Sequence, residues 1–147
     1  EITERLPLED LDMALEVVTK LQALGCRVAL DDAGTGHAGL AILQQIPFDI
    51  IKIDKFFIDT IATGNQETPI IDTIISLGRN LRKIVIAEGV ENMAQLSHLR
   101  SRGLRFAQGY LFSPPLPPKA FIRLARQLGR GASTHDMPSP QARSDAA

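Results

Sequence analysis

The sequence predicts an α/β fold in which a parallel sheet is covered by helices on both sides. Short apolar runs such as Val28-Ala29-Leu30 and Ile84-Val85-Ile86-Ala87 alternate with stretches of helical spacing. Strands that read as continuous apolar runs, with no polar face, are those buried on both faces of a parallel sheet. Polar residues also recur beside these runs: Asp31-Asp32 after Leu30, Lys52 within Ile50-Ile51-Lys52-Ile53-Asp54, Glu88 after Ala87, Gln108 after Ala107, and Glu1 opening Glu1-Ile2-Thr3-Glu4. In parallel α/β folds, residues at strand C-terminal ends converge on one face, and that face carries the site.

The elements follow in order. Leu11, Leu15, Val18 and Leu21 lie at helical spacing, Gly25 is a helix stop, and Cys26 to Leu30 is a short buried strand. A helix starts near His37 and ends before Pro47, giving way to a strand over Phe48 to Ile53. Thr68-Pro69 is an N-cap followed by proline at the first helical position, and Ile70, Ile74, Leu77 and Leu81 form the apolar stripe of a long helix. The strand Ile84 to Ala87, a helix over Met93 to Arg102, a strand at Leu104 to Ala107 and a last helix carrying Phe121, Leu124 and Leu128 complete the alternation. Gly129 to Ala147, rich in Gly, Ser, Pro and Ala, reads as a disordered tail.

Composition bounds the function. A chain of 147 residues with a hydrophobic fraction of 44% can bury one domain's core. Its net charge of −1 provides no bulk field for a nucleic acid polymer or an anionic membrane surface. One cysteine, Cys26, excludes a disulfide framework, and a reducing compartment is the expectation. No apolar run approaches the about 18 residues of a membrane span, and no secretory leader is read. Because the chain opens on Glu1, it is read as beginning inside a domain of a larger protein.

Asp31-Asp32, running into Ala33-Gly34-Thr35-Gly36, is the most informative segment. Adjacent carboxylates repel unless a cation neutralises them, and the glycine-rich turn brings a loop close to whatever sits there. The pair therefore reads as half of a divalent metal site, although Asp-Asp before glycine also serves as ordinary turn chemistry. Gly34-Thr35-Gly36 is not a phosphate-binding P-loop, because no Gly-Lys-Ser/Thr follows. A receiver domain would need a third aspartate one strand later, where Lys52 stands. His37, His98 and His135 lack metal-ligand spacing and read as surface or loop residues.

Taken in order, Glu1-Ile2-Thr3-Glu4, Asp31-Asp32-Ala33-Gly34-Thr35-Gly36, Ile51-Lys52-Ile53-Asp54, Ala87-Glu88-Gly89-Val90-Glu91 and Gln108-Gly109-Tyr110 resemble the EAL domain, the phosphodiesterase module that hydrolyses cyclic di-GMP. The resemblance covers residues 1 to 128 and implies the C-terminal part of a modified (β/α)8 TIM-like barrel, with 129 to 147 as the tail. It implies a two-metal site of Mg2+ or Mn2+ with Glu1, Asp31, Asp32 and Glu88 as ligands. Lys52 then orients and activates the attacking water, Gln108 supports the water network, Glu4 anchors the loop after Asp31-Asp32, and Glu91 has no assigned role. Two hard cations explain the residue types: they want oxygen ligands, neutralise phosphoryl charge and activate water, so no Ser, Thr or Cys nucleophile is required.

Ala33 and His37 depart from the family, which writes an aromatic and a tyrosine there; the change concerns loop packing. The family's naming glutamate and an asparagine ligand would lie upstream of Glu1, so an incomplete metal site is expected and the isolated chain is expected to be inactive and marginal. Family likeness further implies a homodimer through the region of the Asp31 to Leu40 loop. It also implies a cytoplasmic catalytic domain whose parent is tethered to the inner membrane by an upstream sensor, this segment itself making no membrane contact. The rival expectation is a degenerate EAL module that binds cyclic di-GMP or a protein partner without turnover.

Overall fold

The computed structural model describes residues 1–3, 11–34, 45–61 and 68–129. It divides the chain into two compact units, Glu1–Pro114 and one that begins at Pro115. The first unit contains β1 (Ile2–Thr3), α1 (Leu11–Ala23), β2 (Ala29–Ala33), β3 (Ile50–Ile53), α2 (Lys55–Ile61), α3 (Pro69–Asn80), β4 (Ile84–Ala87), α4 (Met93–Ser101) and β5 (Phe106–Ala107). The second is described through α5 (Pro118–Gly129), an amphipathic helix with no buried residue, on which Phe121 and Leu128 are exposed.

The strands form one five-stranded sheet in the order β1-β2-β3-β4-β5, and every pair is parallel. Sequential parallel neighbours without a reversal of order are the winding of a (β/α)8 barrel; a doubly wound sheet would change direction at a switch point. Ile51 and Ile53 of the central strand are buried to 1% and 0% exposure, in one core with Leu30 and Ala87 of the neighbouring strands and Ile71, Ile74 and Leu99 of the helices.

Three helices end in the same way, and that ending aims the next strand. After α1 the Gly25 N–H donates to Gln22 O and the Cys26 N–H to Leu21 O; after α4 the Gly103 N–H donates to Arg100 O and the Leu104 N–H to Leu99 O. After α3 the Arg82 N–H donates to Arg79 O and the Lys83 N–H to Gly78 O. Each is a Schellman ending, which satisfies carbonyls the helix leaves unpaired and needs one left-handed residue. Gly25 and Gly103 supply it with φ of 85° and 82°, whereas Arg82 adopts φ of 54° with a side chain.

Several sequence expectations are corrected. Cys26 is exposed and precedes β2, because the Schellman turn occupies its backbone. On α1 only Leu11 and Val18 are buried, while Leu15 and Leu21 face outward. On α3 the buried face is Ile71, Ile74, Ile75 and Gly78, so Ile70 and Leu81 lie off it. Thr68 makes no side-chain cap; its hydroxyl pairs with His98 Nε2 at 3.0 Å. Strand β3 begins at Ile50 rather than Phe48, and β5 at Phe106 rather than Leu104. Helix α2 was not expected: at seven residues it offers barely one repeat of helical spacing, and its start is set by Asp54, whose Oδ1 accepts the Phe56 N–H at 2.6 Å. The helix from His37, except Gln45, which is helical, lies outside the described residues, as do Glu4, His135, nearly all of the proposed tail and most of the Asp31 to Leu40 loop.

Candidate active site

Parallel pairing brings five of the sequence-selected residues to one junction centred on Lys52. Its ammonium Nζ lies 2.8 Å from Glu1 Oε1, 3.1 Å from Asp31 Oδ1 and 2.6 Å from Glu88 Oε1. Gln108 Nε2 donates to the same Glu88 oxygen at 2.7 Å. These residues come from five neighbouring strand segments: Glu1 precedes β1, Asp31 is in β2, Lys52 in β3, Glu88 follows β4 and Gln108 follows β5. Asp31 is paired in register with Thr3, and Lys52 with Ile86.

The backbone is held up to the site's edge. The sheet ladder continues past the strands, with the Glu88 N–H donating to Ile53 O at 3.0 Å and the Gln108 N–H to Ala87 O at 2.8 Å. Gly109, with φ of 154°, lies so close to Val90 that a Cβ would come within 2.2 Å of its carbonyl oxygen. Only glycine permits this approach, and the Val90 N–H donates to Gln108 O at 3.0 Å across it.

Asp31 and Asp32 depend on an irregularity. Leu30 pairs with Ile51 and Ala33 with Ile53, so two residues of β2 stand opposite Lys52 alone. This is a bulge, and Asp32 within it has φ of 56°. In a regular strand consecutive side chains point to opposite faces. The bulge removes that alternation at the one place where two successive carboxylates are expected to act together.

Electrostatics define the resting state of the junction. Burial alone would lower the Lys52 value, but hydrogen bonds donated to Glu1, Glu88 and Asp31 outweigh it and raise the value above the ordinary lysine range, so the group is charged in this arrangement. Burial raises the Glu88 value above the ordinary carboxylate range; contact with Lys52 pulls it down, and the charges of Asp31 and Glu1 push it up. Lys52 is 6% exposed, while Glu1 reaches into solvent. Among the described residues no three His, Cys, Asp or Glu side chains stand as a ready-made metal cage, since the carboxylates are turned onto the ammonium. The donor set nonetheless fits a hard cation: the oxygens of three carboxylates from different strand ends already surround one positive charge.

Two further features were missed in the sequence. Glu91 has a partner, Lys55 Nζ at 2.8 Å, which also binds Asp59. Gln95 is buried to 2% and forms a capping box with Asn92. The signal for the latter was present as Asn92-x-x-Gln95 before an apolar run. A cleft of about 340 Å³ beside β5, lined by Ile86, Leu99, Phe106, Gln108 and Phe112 among others, includes Gln108 but none of the carboxylates.

A model of the EAL domain family matches residues 1–115. The chain belongs to the EAL domain family. Among its relatives is the probable cyclic di-GMP phosphodiesterase PdeN of Escherichia coli, 40% identical over 123 residues, covering 84% of this chain and 24% of that protein. Among solved structures, the EAL domain of Mycobacterium smegmatis DcpA superposes with a TM-score of 0.80 at 32% identity, over 86% of this chain and 56% of that one. The Pseudomonas aeruginosa MucR phosphodiesterase in complex with c-di-GMP superposes with a TM-score of 0.74 at 35% identity, over 82% and 49%. The chain spans 15% and 24% of the first two curated relatives it matches. Its fold is the C-terminal part of the EAL barrel. No helix among the described residues is long and apolar enough to cross a membrane.

Proposed function

We propose that this chain forms part of a phosphodiesterase that hydrolyses cyclic di-GMP to linear pGpG with Mg2+ or Mn2+. The observation that carries the reading is the Lys52 junction: one buried ammonium, three carboxylates and a glutamine from five adjacent strand segments, in a chain whose relatives include named cyclic di-GMP phosphodiesterases. Glu1, Asp31, Asp32 and Glu88 are the residues that would hold metal. A hard divalent cation supplies neutralisation of phosphoryl charge and a water that deprotonates near neutral pH.

The chain's own residues supply the rest. Lys52 stands as a buried cation among the carboxylates, and its part is to donate hydrogen bonds and hold positive charge where the nucleophile and the phosphoryl oxygens gather. Gln108 donates to the same Glu88 oxygen that contacts Lys52, so it holds that carboxylate in place against the ammonium. The sheet ladder through Glu88 and Gln108 holds both backbones before substrate arrives, so little reorganisation is needed.

The test is hydrolysis of cyclic di-GMP, followed as release of pGpG, by the protein that carries this chain. Turnover with Mn2+ or Mg2+, its abolition by EDTA and its loss in Lys52→Met are expected. Binding of cyclic di-GMP without turnover in either metal would overturn the enzyme reading and leave a ligand-binding EAL module.

A further inference from the structure

Lys52 in β3 and Glu88 just after β4 lie ahead of two different βα connections, and a geometric device holds those connections together. Ile53 and Asp54 lead from Lys52 into α2, and the segment Gly89 to Asn92 leads from Glu88 into α4. Gln95 Oε1 accepts the N–H groups of Glu91 at 2.8 Å and Asn92 at 3.2 Å. Its Nε2 donates to Ile58 O of α2 at 3.3 Å. Ile58 contributes one of the last four carbonyls of α2, groups that a helix leaves without an internal partner. Nearer the site, Glu91 pairs with Lys55 on the first turn of α2, and Gly89, with φ of 66°, lies so close that a Cβ would fall within 2.7 Å of three atoms of the Lys55 stem.

We propose that Gln95 is a positioning residue for the reaction: by joining the Glu88 loop to α2 through its buried amide, it sets the distance between Glu88 and Lys52. A surface ion pair such as Lys55 with Glu91 is worth little alone. A buried amide with both of its ends bonded to backbone has no alternative partner, so it fixes the loop in one place. Asn92 provides the internal control. Its side chain accepts the Gln95 N–H at 2.9 Å and completes the same helix cap, but no bond to α2 passes through it.

This inference rests on the phosphodiesterase reading, and the experiment separates the two. Cyclic di-GMP hydrolysis with Mn2+ is measured for the intact protein, Gln95→Met and Asn92→Ala, with urea midpoints to match their stabilities. Gln95→Met is expected to lower kcat about 10- to 100-fold with KM nearly unchanged, while Asn92→Ala stays within about twofold of the parent. Equal losses in the two variants, or none in either, would overturn the proposal by reducing Gln95 to a helix cap. If Gln95→Met does not fold, Gln95→Glu replaces it: it keeps the oxygen acceptors and loses the amide donor, and the same drop in kcat is expected. If the parent itself shows no turnover, the phosphodiesterase reading fails and hydrogen exchange decides the positioning claim. Faster exchange at both Glu88–Asn92 and α2 in Gln95→Met, but only at the start of α4 in Asn92→Ala, supports it; identical patterns refute it.

Discussion

Replacing Lys52 by methionine keeps the length and volume of the side chain and removes the charge that three carboxylates share. Glu1, 59% exposed at its side chain, has water to turn into; Asp31 and Glu88, at 19% and 17%, do not. Both of those oxygens lie on one nitrogen, so they are no more than about 6 Å apart, and without the ammonium they repel by about 3 kcal/mol at the effective dielectric of a partly buried pair. The variant's escape is to protonate Glu88, whose charged form burial already penalises. Protonating a carboxyl of ordinary value 4.5 at pH 7 costs about 1.4 kcal/mol for each pH unit above that value, or about 3.4 kcal/mol.

The two costs are nearly equal, so Lys52→Met is expected to lose about 3 kcal/mol at pH 7. The sign with pH follows from linkage. Where folded Lys52→Met keeps Glu88 protonated above about pH 4.5, its unfolded chain has released that proton, so its stability falls relative to the parent as pH rises from about 5, and the fall levels off toward about pH 7, where the two costs meet. In the parent, Lys52 titrates above the ordinary lysine range; its stabilising contribution is complete below that range and lost only as pH rises through the folded value. It therefore does not move in this window. Urea unfolding of both proteins at pH 5, 6 and 7 measures the gap, and a gap that stays constant across those pH values would refute the shared-cation account.

Gly78→Ala, which in an open helix would gain about 1 kcal/mol, is expected to lose about 1–3 kcal/mol because its Cβ would come within 2.1 Å of Val85 Cγ2; thermal and urea midpoints check it. Arg82→Gly is expected to stabilise by about 1 kcal/mol, since the left-handed turn at φ 54° then needs no Cβ, and a lower urea midpoint would count against the Schellman argument. Gln108→Ala is expected to leave the urea midpoint within about 0.5 kcal/mol of the parent while reducing cyclic di-GMP hydrolysis about tenfold, because it frees Glu88 without disturbing the core. Gly109→Ala is expected to lower both together, as the Val90 backbone must move to admit the new carbon.

Apolar runs alternating with helical stripes were enough to establish the parallel α/β class, and β4 and α4 lie within a residue of their expected bounds. The set of polar residues beside the strands was equally legible, because Lys52 alone could snorkel from a strand end but its place among acidic residues at neighbouring strands favours a task there. Burial on α1 and α3 was misread for a physical reason: several apolar residues are available on each helix, and which of them face the sheet depends on how the helix is rotated against it. Helix α2 was invisible because its short pattern draws its stability from packing Phe57 and Ile58 into the core.

The chemistry on offer at the site was therefore written in local composition: oxygen donors, one amine and one amide at successive strand ends. Their meeting was not. Glu1 and Glu88 reach the same ammonium through the sheet's register, and two successive aspartates stand opposite one lysine because β2 bulges at Asp32. A bulge requires a partner strand to be defined at all, and a register exists only between strands. The clasp at Gln95 has the same character: half of it is a capping box readable over four residues, and the other half is a bond to the carbonyl of Ile58, a helix 37 positions away in the chain that folding lays alongside.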